Sequence, residues 1–131
     1  MRIDQIMQLC FSDFLQDGFQ LEKEKLGVYR TYHICKAPLR MEIKMDFRED
    51  TVDFKVKRGT TVLLLIEKEA VMLNAPFQAL DQLMSAIHKE YAQLGNRGLT
   101  SAQLQRMMGS FVEFVHANWE SIAPRDWEEK L

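Results

Sequence analysis

The chain opens on a helical pattern. Ile3, Ile6, Met7, Cys10, Phe11, Phe14 and Leu15 recur at three- and four-residue intervals, with Gln5, Gln8, Ser12, Asp13 and Gln16 on the other side. That is the spacing of an amphipathic helix that buries one stripe. Asp17-Gly18 closes it, because glycine takes the left-handed conformation of a C-terminal cap without steric cost. A charged stretch over 19–27 has no clear period. The period then becomes 2. Residues 28–35 are rich in β-branched and aromatic side chains and predict a strand ended by Lys36-Ala37-Pro38. Residues 40–47 alternate without a break, placing Met41, Ile43, Met45 and Phe47 on one face and Arg40, Glu42, Lys44 and Asp46 on the other. After Arg48-Glu49-Asp50, residues 51–57 alternate again, with Val52, Phe54 and Val56 turned to the same core.

Charge selects the register of this hairpin, because like charges directly opposite on one face are unfavourable. Pairing Met45 with Val52 sets Lys44 opposite Asp53 and Glu42 opposite Lys55. A slip of two residues would set Lys44 opposite Lys55 and Asp46 opposite Asp53. The first register is expected.

Arg58-Gly59 makes a tight turn into residues 60–66, which lose all alternation from Val62 onward. Periodicity leaves residues 60–73 open between strand and buried helix. Thr60, Thr61 and Val62 after a hairpin-type turn favour a strand, and Glu67-Lys68-Glu69 can turn a further short one at 70–73. A strand apolar on both faces beside half-polar neighbours needs a second cover, either a C-terminal helix or another chain. Two helical patterns follow. Phe77, Leu80, Leu83, Met84, Ile87, Tyr91 and Leu94 mark the first, stopped by Gly95-Asn96-Arg97-Gly98. Thr100 with Gln103 reads as a capping box opening the second, whose stripe runs through Leu104, Met107, Met108, Phe111, Val112, Val115, Trp119 and Ile122 to Pro124. The fold class is therefore α+β: an N-terminal helix, an antiparallel meander of four or five strands, and two C-terminal helices packed on the sheet. No linker or repeat divides residues 1–131, and a single domain is expected.

Composition narrows the partners. Seventeen Lys plus Arg against nineteen Asp plus Glu leave a net charge of −2, so no positive excess draws the chain to nucleic acid or an anionic membrane. The longest apolar run, 62–66, falls far short of the roughly 20 residues that span a bilayer. The first residues carry no apolar signal segment, which points to the cytoplasm. Cys10 and Cys35 lack C-x-x-C spacing and are expected as reduced thiols.

Candidate chemistry is sparse. The phosphate-loop, dinucleotide, nucleophile-elbow and zinc-protease signatures do not occur, and neither a cofactor nor a metal is expected. His33 and Cys35, two apart on a strand, share a face, where an imidazole could activate a thiol or serve as a polar anchor. Two ligands fall short of a four-coordinate metal site, and His88 and His116 would complete one only if their helices covered that face. Glu42, Asp46 and Asp53 carry too many interleaved bases to read as an acid/base pair.

Of the eight methionines, Met41, Met45, Met72, Met84, Met107 and Met108 fall on core or interface positions. Met suits both an irregular core and a pliable binding surface. The apolar candidates for an interface are Leu64 and Ile66 in the 60–66 segment, Phe111, Val115 and Trp119 on the last helix, and Trp127 in the charged segment beyond Pro124. A small acidic chain that opens on an amphipathic helix, continues into a strand meander and closes on an aromatic helix resembles in plan the type III secretion chaperones. That resemblance implies a dimer that binds extended protein segments. The chain departs from the plan at Arg58-Gly59, where those proteins place a helix between the third and fourth strands. The expected function is a non-enzymatic protein-interaction or adaptor module, homodimeric, using an apolar sheet or helix surface. The alternatives are a small apolar ligand held in a Met- and Phe-lined cup between sheet and helices with His33 as anchor, and an enzyme with dispersed catalytic residues.

Overall fold

The computed structural model describes residues 1–96 and 98–123. Its elements run α1 (Ile3–Cys10), α2 (Ser12–Gln16), β1 (Gln20–Leu26), β2 (Tyr29–Lys36), β3 (Leu39–Asp46), β4 (Thr51–Arg58), β5 (Thr61–Ile66), β6 (Val71–Leu73), α3 (Leu80–Ala92), α4 (Ser101–Ala117) and α5 (Trp119–Ile122). The strands form an antiparallel meander in the order β1-β2-β3-β4-β5-β6. The sheet thus has six strands rather than four or five. The additional one is β1, whose charged sequence hid it: nearly all of its side chains are exposed, so no apolar period marks it. Residues 60–73 hold two strands, β5 and β6, and no helix. No helix interrupts the meander, which sets the chain apart from the chaperone plan; β4 passes to β5 through Gly59 at φ +60°.

The β3–β4 register is the one charge selects, with Met45 opposite Val52, Lys44 opposite Asp53 and Glu42 opposite Lys55. Phe47 departs from expectation. It lies just past β3 and is 47% exposed, its N–H bonded to the Val28 carbonyl at the adjacent turn. The expected N-terminal helix is broken at Phe11 into α1 and α2, and Gly18 follows at φ +94°.

The helices among the described residues lie against one face of the sheet. Tyr32, Ile34, Met41, Ile43, Met45, Val52, Phe54 and Val56 meet Ile6, Met7, Phe11, Leu104, Met107, Met108, Phe111 and Val115 in the core. Phe111 of α4 packs on Phe54 of β4 with ring centroids 4.8 Å apart. The apolar β5 needs no second cover, because the β4–β5 ladder shifts register at Val56/Lys57. Such a bulge sets one extra residue against the partner strand. Leu63 is taken into the core beside Leu64 and Ile66, and only Val62 and Leu65 remain half-buried outside it.

Polar pins fix the helices. The Thr100 and Gln103 capping box forms with both of its bonds, and Gln103 also donates to the Glu90 carbonyl at 3.1 Å. Arg106 forks onto the buried Glu90 carboxylate at 2.8 and 3.0 Å, joining α4 to α3. Beyond the last β4–β5 pair, the Val52 N–H and C=O are met by the Tyr91 hydroxyl. Buried Asn118 holds Gln78 through both its backbone groups, and Ser121 donates to the Pro76 carbonyl at 2.8 Å. These bonds moor the segment that leads from β6 to α3.

Candidate interaction surfaces

The expected apolar interface residues divide between core and surface. Leu64, Ile66, Phe111 and Val115 are 0–1% exposed and are covered within the chain itself. As placed here, they offer no surface to a partner. Trp119 is partly buried against Phe14 and Phe19, and Trp127 lies outside the described residues. The space between sheet and helices is packed by Met107, Met108 and Phe111, each 0% exposed, so the Met- and Phe-lined cup is solid core. His33 cannot anchor a ligand there, because it projects from the opposite face of the sheet, in line with Glu22, Glu42, Lys55, Leu65 and Met72.

His33 and Cys35 do share that open face. His33 lies 3.6 Å from Glu42, 3.7 Å from Glu24 and 3.2 Å from the Arg40 guanidinium. Burial is the main influence on the Cys35 thiol and pushes its pKa up, with Arg40 opposing and Glu22 and Glu42 adding to the rise. A thiol held in its neutral form is the reverse of an activated nucleophile. Cys10, on the helix side, is raised by burial as well, and both thiols are free. His116 stacks on Phe14 at 4.8 Å and His88 is exposed on α3. No group of three potential metal ligands occurs among the described residues.

A shallow groove of about 450 Å³ crosses the open face between Glu24, Tyr29, His33, Glu42, Lys55 and Leu65. Its charges answer one another: Lys55 lies 3.6 Å from Glu42, and the Lys44 ammonium sits over the Tyr29 ring at 4.5 Å. Burial, and then the neighbouring Glu67, raise the Asp53 carboxyl. Asp46 accepts from the Arg48 and Glu49 N–H groups and so serves the turn. Glu42 and Asp46 thus each serve a separate structural contact, while Asp53 lies across the ladder from Lys44.

The two edges of the sheet differ in kind. At one edge, β1 presents Glu22-Lys23-Glu24-Lys25, the charged edge with which proteins discourage strand pairing. At the other, β6 presents Val71, Met72 and Leu73, which are 40, 45 and 43% exposed. The hydrogen bonds flanking β6 determine which of its backbone groups are spoken for. Glu67 donates to the Ala70 carbonyl at 2.8 Å and Asn74 to the Leu63 carbonyl at 2.9 Å. With Ile66 opposite Val71 and Leu64 opposite Leu73, those two pairs are the non-hydrogen-bonded ones, and Leu65 with Met72 is the hydrogen-bonded one. The N–H and C=O of Val71 and Leu73 therefore point away from the sheet. The end of the strand is tied to β5 by the Asn74 side chain, which donates to the Val62 carbonyl at 2.8 Å. Nothing in the sequence distinguished this short apolar run from core; the pairing of Met72 with Leu65 is what places Met72 on the open face.

The fold and these surfaces define an α+β domain with a helix-backed antiparallel meander, one charged edge and one apolar edge. No model of a known protein family, no curated protein and no solved structure matches the chain. No helix among the described residues is long and apolar enough to cross a membrane.

Proposed function

We propose that this protein is a non-enzymatic protein-interaction module that receives an extended strand at the β6 edge. The observation that carries the reading is the contrast between its edges: β1 is guarded by alternating charge, while β6 offers outward backbone groups at Val71 and Leu73 flanked by exposed apolar side chains. In strand addition, backbone hydrogen bonds supply affinity and alternate side chains supply selectivity. Here Val71 and Leu73 would select on the helix side of the sheet, and Met72, beside Leu65, on the open side. The fully occupied core favours this edge over a buried cup, and the Lys55–Glu42 and Lys44–Tyr29 contacts of the open face favour it over a dispersed active site.

Selection of a displayed random-peptide library against the full chain tests the reading. Peptides with alternating apolar residues should emerge and slow hydrogen exchange at the Val71 and Leu73 amides. Val71→Pro removes one outward N–H while leaving the β5 pairing intact, a substitution that edge strands tolerate, and it should abolish that protection. Peptides that bind the Val71→Pro protein equally well would overturn the proposal, as would the absence of any strand-like binder with the chain dilute enough to stay single.

A further inference from the structure

We infer that the strand received at β6 is the β6 of a second copy of this chain, laid antiparallel about a two-fold axis beside Met72. The inference rests on the strand-addition reading and names its occupant. Antiparallel pairing joins outward-pointing residues to outward-pointing residues, so a two-fold axis permits only registers that pair positions of the same parity. With Val71 opposite Leu73 of the second copy, every outward N–H and C=O of both residues on both chains is bonded. With Val71 opposite itself, Leu73 would face Glu69; with Leu73 opposite itself, Val71 would face Ala75, beyond the end of the strand. The Val71–Leu73 register is thus the one that satisfies the edge.

Charge points the same way. In that register Ala70 faces Asn74, Glu69 faces Ala75 and Lys68 faces Pro76, so no like charges oppose one another. The parity rule gives the contrary result at β1. There Glu22 and Glu24 share one parity and Lys23 and Lys25 the other, so a two-fold pairing through this tract sets Glu against Glu and Lys against Lys. One edge is self-complementary and the other self-repelling. A two-fold contact through β6 also closes: each copy uses its single apolar edge and leaves its guarded β1 edge outermost, which stops growth at two chains. The strand is short beside a standard interface of about 800 Å² per partner, so the dimer should exchange and respond to concentration.

Sedimentation and native mass spectrometry of the full chain over a concentration series test this directly. A reversible passage from single to twofold mass is expected. Val71→Pro, checked for fold by circular dichroism, should raise the midpoint concentration at least about tenfold, since symmetry removes an edge hydrogen bond on both copies. The register is read by cross-linking. Met72→Cys places two thiols at a non-hydrogen-bonded pair, with Cα atoms about 4.5 Å apart, where a disulfide forms readily. Val71→Cys sets them on a diagonal of about 7 to 8 Å and should not cross-link to itself. A chain that stays single up to millimolar concentration overturns the second copy as occupant. So does a dimer whose midpoint ignores Val71→Pro and whose Met72→Cys form does not cross-link. If selected peptides still protect Val71 and Leu73 in either case, strand addition stands and only the second copy falls; if they do not, both fall.

Discussion

Replacing Phe111 with alanine separates a core role from an interface role for the residue at the centre of α4. Phe111 is 0% exposed, lies 4.8 Å from the Phe54 ring and 6.4 Å from the Phe11 ring, and is enclosed by the helices and the sheet together. Truncating such a buried phenylalanine costs about 3 to 5 kcal/mol, from lost apolar burial and the cavity left behind. For a domain of this length, with an unfolding entropy of about 2.1 cal/mol/K per residue, that corresponds to a Tm lower by about 11 to 18 °C. Much of the total stability of an ordinary domain, about 5 to 15 kcal/mol, would be spent on one side chain. Thermal unfolding by circular dichroism gives the shift, and urea titration gives the free energy independently. A double-mutant cycle with Phe54→Leu should recover a coupling of about 0.5 to 1.5 kcal/mol from the ring pair. A Tm within about 4 °C of the parent, together with loss of self-association, would refute this placement and return Phe111 to an interface.

The Asp4 and Tyr32 pair should make stability sensitive at both ends of the pH range. Lys23, bonded at 2.9 Å, and the Tyr32 hydroxyl hold the Asp4 carboxyl down at about 2 instead of 3.8. A lowered carboxyl contributes stability above its unfolded value that disappears as pH falls through the folded one, so the Asp4→Asn variant should converge on the parent between about pH 4 and 2. Burial, and then Asp4, push the Tyr32 hydroxyl up to about 12 from 10. Its contribution is complete below the unfolded value and is lost as pH rises towards the folded one, a window read by tyrosinate absorbance during alkaline unfolding. Arg106→Met should strand the Glu90 carboxylate, whose side chain is 5% exposed and whose pKa the Arg106 fork now lowers. The variant should lose about 1 to 3 kcal/mol near neutral pH and recover part of it on acidification as Glu90 protonates, followed by urea unfolding at several pH values. An equal loss at every pH would refute an electrostatic role for the fork.

Periodic patterning, capping and cross-strand charge were sufficient to predict much of this molecule before any coordinates. The β3–β4 register was legible because Lys44, Asp53, Glu42 and Lys55 permit one alignment and oppose its neighbour. The start of α4 was legible because Thr100 and Gln103 satisfy each other's backbone groups locally. Such features depend on residues close in sequence or directly opposed, and chemistry within that range is written in the chain. β1 was not legible, since an edge strand exposed on nearly every side chain needs no hydrophobic alternation and derives its structure from the ladder with β2. The fate of the apolar β5 was also decided in three dimensions. Only the register shift at Val56/Lys57 shows that Leu63 and Leu64 both enter the core, leaving no second apolar face to cover. By the same route Leu64, Ile66, Phe111 and Val115, sticky in sequence, became interior, while the three residues of β6 became surface. Hydrophobicity alone records that a side chain favours burial; whether its own chain buries it depends on which strand stands at the edge, and that is a property of the assembled sheet.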